Sequence, residues 1–468
     1  MNKTAETSFR RNSRNRQSIV LGLILTVEKL FPNERLRIMH SIPDGIYCEL
    51  ENSLLSPREV EEIEKELLAW IAADIPISSY NGTDGFIHCQ MDGQELKSLF
   101  NVLDRSGAIQ YCRLFEYPPG FILHYIEYNN PDSCTLLVPP EKLSDTFSES
   151  QIWVENLGLA KVKDVNDAIS AKNTIELISL AEALHEKKIS LIADRILRQR
   201  RNVRVILIAG PSSSGKTTFT QRLSTQLKVN NLRPVSLSLD NYFLSREHTP
   251  RETSGLYNYD AIEALDLKLL DSHLKILIKG GTVETPVYDF ISGKRCSQGT
   301  PLHLKDNEIL LIEGIHGLNP RLLPSLDRNQ LFKIYISALF QSNIDNYNRV
   351  PTSEVRLIRR LVRDNRTRGI SPEQTFAQWN SVRRAENTII FPYQEEADIM
   401  FNSTLLYELN ALRTFAEPLL KPIPKDSPHQ DIVSLLLRML SFFKPIDVTK
   451  IPFNSILREF IGGGLYKI

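Results

Sequence analysis

Apolar and polar positions follow two different rhythms along the chain. Before about residue 200, short strands and amphipathic helices are mixed. "GIYCEL" and "GFILHYIEY" read as strands, and "SPREVEEIEKELLAWIAA" between them reads as a charged helix with Ser56 as its N-cap. An apolar run from Ile19 to Val27 predicts a buried helix behind a frayed basic tail carrying Arg10, Arg11, Arg14 and Arg16. "NTIELISLAEALHEKKISLIADRILRQRR" predicts one or two amphipathic helices linking the halves. From residue 203 the rhythm changes. The apolar runs "VRVILIA", "PVSLSL", "EILLIEG", "FKIYIS" and "ADIMFN" alternate with helical stretches, as a parallel sheet covered on both faces requires. After 405 the pattern is helical up to "NSILREFIGGG". The pattern predicts a basic tail over 1–17, an α+β domain over 18–165, a helical linker over 166–202, an α/β domain over 203–405 and a helical extension over 406–468.

Composition narrows the partners. Of the 468 residues 24% are charged and the formal net charge is zero, so no global field draws in nucleic acid or an anionic membrane. Cys48, Cys89, Cys112, Cys134 and Cys296 lie far apart with no C-x-x-C, which predicts reduced, mostly buried thiols and neither a disulfide framework nor a zinc site. "FRRNSRNRQSIVLGLILTVEKLF" has the outline of a secretory signal, but no small-residue cleavage site follows, and the apolar run is too short to span a bilayer. A cytoplasmic chain is expected.

The chemistry starts at "GPSSSGKT". The spacing G-x-x-x-x-G-K-[ST], placed after a strand and at the start of a helix, marks a phosphate-binding loop. Gly210 and Gly215 permit backbone geometry that turns successive N–H groups inward, and the following helix offers its positive end. Residues Gly210, Pro211, Ser212, Ser213, Ser214, Gly215, Lys216, Thr217 and Thr218 are therefore candidates for holding ATP, with Lys216 as a mobile charge and Thr217 as a Mg²⁺ ligand. Glu313 ends the strand "EILLIEG" at the same sheet edge, where it could hold Mg²⁺ directly or through water.

What receives the phosphate is read from the next strand and from a run of cations. Asp240 follows "PVSLSL" at the ligand-collecting edge of the sheet. There it could take a proton from an attacking hydroxyl or join the metal site; a cap after a strand is the competing reading. "SEVRLIRRLVRDNRTRG" carries Arg356, Arg359, Arg360, Arg363, Arg366 and Arg368, with Arg356, Arg360 and Arg363 on one helical face. Such a run is usually a solvated face, and nucleic-acid binding would call for interleaved aromatics that are missing. Closure of this helix over the loop would surround a moving phosphoryl group with cations and exclude water. His124, His185 and His316 are each either packed or functional, His316 being nearest Glu313. Tyr257 and Phe290 fall near the expected acceptor pocket, and Trp153 in a core.

With those features in order, residues 203 to about 405 resemble the uridine kinase and phosphoribulokinase family of P-loop kinases. "SLDNYF" resembles the segment bearing the family's catalytic aspartate, here Asp240. "GLYNYDAIEALDL" resembles the segment whose aspartate, here Asp260, binds ribose hydroxyls of the acceptor nucleoside. "TPVYDFISGKR" resembles the base-pocket segment, with Tyr288 and Arg295 as the matching residues, and "RRLVRDNRTRG" resembles the lid, with Arg360, Arg363 and Arg368 on lid arginines. Two positions depart from the pattern. Gly293 stands where uridine–cytidine kinases have a histidine contacting the pyrimidine, and Ile370 replaces one lid arginine.

"ELISLAEALHEKKISLIADRI", "SVRRAENTIIFPYQEEADIMFNS" and "NSILREFIGG" resemble a bacterial nucleoside kinase subgroup with a synthetase-like N-terminal region. Residues 17 to about 80 are similar to the editing domain of threonyl-tRNA synthetase. Its H-x-x-x-H positions fall here on Gln17 and Leu21, neither of which can act as a base or metal ligand, so editing hydrolysis is not expected. The resemblance implies ATP- and Mg²⁺-dependent phosphoryl transfer to the 5′-hydroxyl of a nucleoside of the uridine or cytidine kind. In that reading Asp240, Lys216, Arg363 and Arg368 carry the chemistry, and Asp260, Tyr288, Arg295 and Arg360 hold the acceptor. A small-molecule acceptor is expected without a membrane or nucleic-acid partner, and self-association into a homo-oligomer stays open. The rivals are a kinase of another sugar-containing acceptor, a tRNA- or RNA-binding regulatory ATPase, and a degenerate kinase kept as a structural subunit.

Overall fold

The computed structural model describes residues 3–42, 45–125, 140–251, 257–289 and 292–466, with side chains from residue 11 onward. Cys134, Phe290 and the end of the strand expected over "GFILHYIEY" lie outside the described residues, as do the first two residues of "GLYNYDAIEALDL".

Continuous apolar runs make the central sheet of the C-terminal half. Val205–Ala209, Arg233–Ser238, Glu308–Glu313, Leu331–Ser337 and Ile399–Asn402 form five parallel strands. Numbered along the chain, they lie in the spatial order 2-3-1-4-5. Strand Val205–Ala209 is wholly buried, because helices cover both faces of the sheet. The order reverses beside it, which opens a crevice at its carboxyl end where the phosphate-binding loop begins.

The two flanking helical regions are layers of this unit. Helix Thr174–Arg198, in the segment expected to be a linker, lays Leu177, Ala181, Ile189, Ile192 and Ile196 into the same core as Phe219, Leu223 and Leu227 of the loop's own helix. Arg222 of that helix pairs with Glu182 and Glu186 across the seam. An amphipathic helix with a continuous apolar face gains more from burying it than from bridging two bodies. Residues of the C-terminal extension, from Leu409 to Ile461, enter the same core.

The N-terminal half is built on a four-stranded antiparallel sheet in the order Leu36–Ile42, Gly45–Leu50, Gly120–Tyr125, Cys112–Tyr117. Helix Pro57–Ala72 starts with the expected Ser56 cap, which forms a reciprocal capping box with Glu59. The first helix runs Lys3–Leu30, so the basic segment is helical and not frayed. Its polar side chains bind a neighbouring loop: Arg14 Nε donates to Val102 O, Asn15 Oδ1 accepts from Gln110 N, and Ser18 Oγ accepts from Leu103 N. Gly22 lets this helix meet Pro57–Ala72 closely, since a Cβ there would lie 2.4 Å from the Trp70 ring. Gln17 and Leu21 are buried in this packing. A second sheet of three short strands, Ser78–Asn81, Ile87–Met91 and Gln94–Ser98, and helix Glu141–Asn156 had no clear sequence pattern. The four-stranded sheet meets the parallel one through Met39, Ile42, Tyr47 and Ile122 against Ala209, Tyr335 and Leu339. Cys48, Cys89 and Cys112 are buried free thiols and Cys296 is exposed. No helix among the described residues is long and apolar enough to cross a membrane.

Candidate active site

The loop after strand Val205–Ala209 turns through two left-handed residues, Ser213 (φ 58°) and Gly215 (φ 85°), before helix Lys216–Val229 begins. That alternation points successive N–H groups to one side, as an anion-binding nest needs. The hydroxyls of Ser213 and Ser214 are buried with no hydrogen-bond partner among the described residues. Lys216 Nζ folds back onto Gly210 O at 2.8 Å and Pro211 O at 3.0 Å. Burial lowers its pKa, opposed by the charges of Glu313 and Glu459. The loop is thus a concave set of donors with unused hydroxyls, which suits nucleotide phosphates.

Above the loop lies a cavity of about 650 Å³. It brings together Lys216, Thr217, Asp240, Asp260, Glu313, Arg360, Arg363 and Arg368, residues far apart in sequence. Thr217 Oγ1 donates to Glu313 Oε1 at 3.0 Å, so the two oxygens already share one small volume. Burial raises the Glu313 pKa, and Lys216 and Thr217 act against it. Among the described residues no group of three or more acidic, histidine or cysteine side chains forms a metal cage. A hard cation held by one or two protein oxygens together with phosphate oxygens needs no such cage, and Thr217 with Glu313 fits that mode. Asp240 opens onto the cavity. Desolvation by the surrounding protein raises the pKa of its carboxylate against the opposing charge of Lys216.

The arginine helix is Thr352–Arg368, and it divides its cations between two jobs. Arg356 and Arg359 are fully buried behind the loop. Arg356 pairs with Glu386 and donates to Ser212 O; Arg359 pairs with Glu408 at 2.6 Å and donates to Ser213 O. Arg356 therefore braces the loop and does not share the role of Arg360 and Arg363, as the common helical face had suggested. Arg360, Arg363 and Arg368 line the cavity around one fully buried carboxylate, Asp364, at 3.1, 2.8 and 3.3 Å. Arg360 also donates to Ser212 Oγ at 3.0 Å.

A family profile described as "Phosphoribulokinase / Uridine kinase family" matches residues 205–405. A uridine kinase from Bacillus pumilus (strain SAFR-032) is 32% identical over 198 residues, covering 42% of this chain and 84% of that protein. The chain belongs to the phosphoribulokinase/uridine kinase family. A second uridine kinase, from Staphylococcus haemolyticus (strain JCSC1435), is 33% identical over 201 residues, covering 42% of this chain and 87% of that protein. A solved structure described as "a Possible Uridine Kinase from Bacillus stearothermophilus" is 20% identical, covers 46% of this chain and 98% of its own, and aligns with a TM-score of 0.32.

The remaining sequence-predicted residues of this kinase divide unevenly. Asp260 lines the cavity, and the neighbouring His316 ring is hydrogen-bonded to the Asp260 backbone. His316 is buried, which holds its pKa down at about 4. Tyr288 and Arg295 do not line the cavity. They are cross-strand partners in a two-residue ribbon, and Tyr288 packs against Phe243. Arg295 donates to Phe243 O, Tyr242 O and Asp266 Oδ2, so its guanidinium holds the turn after Asp240 in place. Gly293 has φ 69°, and a Cβ there would lie 2.8 Å from Arg246 Nε. The place of the missing side chain is filled by Arg246, which also donates to Tyr259 Oη. Thr218 is covered by Glu459 from the C-terminal extension. Tyr257 stacks under Arg251 away from the cavity. His124 and His185 are buried in packing, and Trp153 packs against the main core.

Three carboxylates were missed by sequence reasoning. Glu386, on a turn of π-helix after helix Pro372–Ala385, accepts from Ser212 N at 3.0 Å. Burial, the largest influence, raises its pKa, but the charge and hydrogen bond of Arg356, with Arg383 and the Ser212 N–H, together hold it below the usual value. Glu459 reaches the loop from the last helical turn. Asp364 had a readable signal, its i and i+4 spacing to Arg360 and Arg368.

Proposed function

We propose that the protein transfers the γ-phosphoryl group of ATP to the 5′-hydroxyl of a nucleoside, giving a nucleoside monophosphate and ADP. The observation that carries this reading is the placement of the Asp240 carboxylate on the same cavity as Lys216 and the three arginines around Asp364. Hydrolysis needs no acceptor wall. This cavity has one, formed by Asp260, Tyr259, Phe243 and His316.

In this reading the loop from Gly210 to Thr218 holds the donor phosphates. Thr217, Glu313 and Asp240 would hold Mg²⁺, which when bound would supply positive charge beside the donor phosphates. Asp240 accepts the proton of the attacking hydroxyl, and desolvation, acting against the charge of Lys216, raises its basicity for that task. Lys216, Arg363 and Arg368 face the phosphoryl group in transit, and Arg360 ties the loop to their helix. Asp260 holds the ribose hydroxyls, with its backbone fixed by His316. Tyr288 and Arg295 shape the acceptor side at one remove, through Phe243 and the turn after Asp240. The N-terminal region, with Gln17 and Leu21 buried where the editing histidines would fall, is read as a non-hydrolytic relative of a synthetase editing domain.

Acceptors lacking the reactive hydroxyl test the assignment. Uridine and cytidine should yield 5′-monophosphates detectable by ³¹P NMR, whereas 5′-deoxyuridine should yield none. Phosphorylation of 5′-deoxyuridine, or of no nucleoside at all, would overturn the reading.

A further inference from the structure

The motif "NSILREFIGG" lies about 240 residues after the phosphate loop, yet it folds onto it. The turn Arg458–Ile461 places Glu459 at 4% exposure with Oε2 on both donors of Thr218, the backbone N–H at 3.1 Å and the hydroxyl at 3.0 Å. Ile456 covers the loop beside it: a Cβ on Gly215 would lie 2.7 Å from Ile456 Cγ2. Thr218 is in the first turn of helix Lys216–Val229, where N–H groups have no partner inside the helix and an anionic oxygen is favoured. In a loop of this kind those N–H groups serve the α- and β-phosphates. A carboxylate oxygen that takes both donors of Thr218 is therefore in the position of a phosphate oxygen.

The turn is held from the far side by the arginine helix. Arg366 donates from Nε to Phe460 O at 3.0 Å and from NH2 to Glu459 O at 3.1 Å, and the Arg359 guanidinium lies 5.0 Å from the Phe460 ring centre. Gly462 and Gly463 follow at once in left-handed conformations. Phosphate and carboxylate cannot share the donors of Thr218, since both are anionic and each would occupy the same N–H and O–H.

We infer that Glu459 is an intramolecular competitor for the donor nucleotide: its carboxylate holds the α-phosphate position on Thr218, and the turn that carries it must withdraw before a nucleoside triphosphate seats fully. Glu459 then sets donor affinity, and Arg366 links its withdrawal to the helix that carries Arg360, Arg363 and Arg368. This rests on the phosphate-loop part of the proposed function.

The test is calorimetric titration of the full chain with the magnesium complex of a β,γ-imido ATP analogue. Glu459→Gln and Glu459→Ala should bind it about ten- to a hundred-fold more tightly than the natural chain, the range expected for losing a charge-assisted buried hydrogen bond on the competing side. Affinity that is unchanged or weaker in both variants, with the natural chain binding, would overturn the competitor alone. If neither the natural chain nor either variant binds the analogue, the phosphate-loop reading is lost and the competitor with it. Hydrogen exchange on the natural chain gives a second readout that no variant can confound by misfolding. The analogue should speed exchange of amides in 455–462, and slowed or unchanged exchange there would contradict the inference.

Discussion

Replacing Asp364 by Asn removes one charge from the centre of the arginine fan. Its carboxylate is fully buried and lies 2.8–3.3 Å from Arg360, Arg363 and Arg368. The Arg368 side chain is 53% exposed, so its pair counts for about 0–1 kcal/mol at most. Arg360 and Arg363 are 11% and 12% exposed. Arg363 hydrogen-bonds Asp364 Oδ1 through Nε and Nη2, a charge-assisted contact worth about 1.5–3 kcal/mol, while Arg360 adds a close ion pair without a hydrogen bond on the same carboxylate, so the two do not simply add. Loss of one partner from a buried ion pair typically costs about 3–5 kcal/mol. Asn keeps the volume and one acceptor oxygen, so we place the cost near the lower end, at about 3 kcal/mol. The midpoint of thermal unfolding should fall by several degrees. Activity should suffer more than stability, since three cations lose their common anchor while the chain still folds. We expect kcat to drop at least about a hundred-fold, as for loss of a preorganised charge at a reacting group, with acceptor KM changed by less than a factor of about three. A variant that keeps its unfolding midpoint and its kcat would refute the claim that Asp364 positions the arginines.

Other substitutions separate neighbouring claims. Arg295→Lys loses the planar fork that reaches Phe243 O, Tyr242 O and Asp266. It should lower kcat and the unfolding midpoint together, whereas a direct base contact would show as a rise in acceptor KM alone. Gly293→His must adopt a left-handed backbone and displace Arg246. The backbone term alone costs about 1–2 kcal/mol, so acceptor KM should rise, and a lower KM for pyrimidine nucleosides would contradict the packing argument. His316 and His40 are held neutral by burial, with pKa values of about 4 and about 3 against 6.5 when unfolded. Below pH 6.5 the unfolded chain binds protons that the fold refuses, so stability present above that pH is lost as pH falls towards 4. His316 alone contributes up to about 3 kcal/mol over this window. The unfolding midpoint should decline from pH 7 to pH 5 and less so in His316→Asn; a flat profile would refute this.

The parallel strands and the loop they end in were legible because each is a short, continuous apolar run followed by the residue types that phosphate binding needs. Lys216, Thr217, Asp240, Asp260, Glu313, Arg360, Arg363 and Arg368 meet on one cavity because the carboxyl edge of a parallel sheet collects whatever follows its strands. Glu386 and Glu459 were not legible. Each reaches the loop from more than 170 residues away, and a lone acid in a helical stretch reads as solvent-facing until its partners are known. Arg356 failed for the opposite reason: helical spacing assigns a face, and it does not tell a cation lining the cavity from one buried against Glu386. The basic segment over 1–17 reads as a tail because its sequence is polar, while the partners of Arg14 and Asn15 in the 102–110 loop are distant in sequence.

Phosphoryl transfer to a nucleoside, with Asp240 as the acceptor's base, makes a definite demand on stoichiometry. ADP release should require an added nucleoside and should match nucleoside 5′-monophosphate mole for mole, and Asp240→Asn should lower the rate by about 10²–10⁴. ADP release that ignores every nucleoside, that rises with tRNA, or that is unchanged in Asp240→Asn would contradict the account.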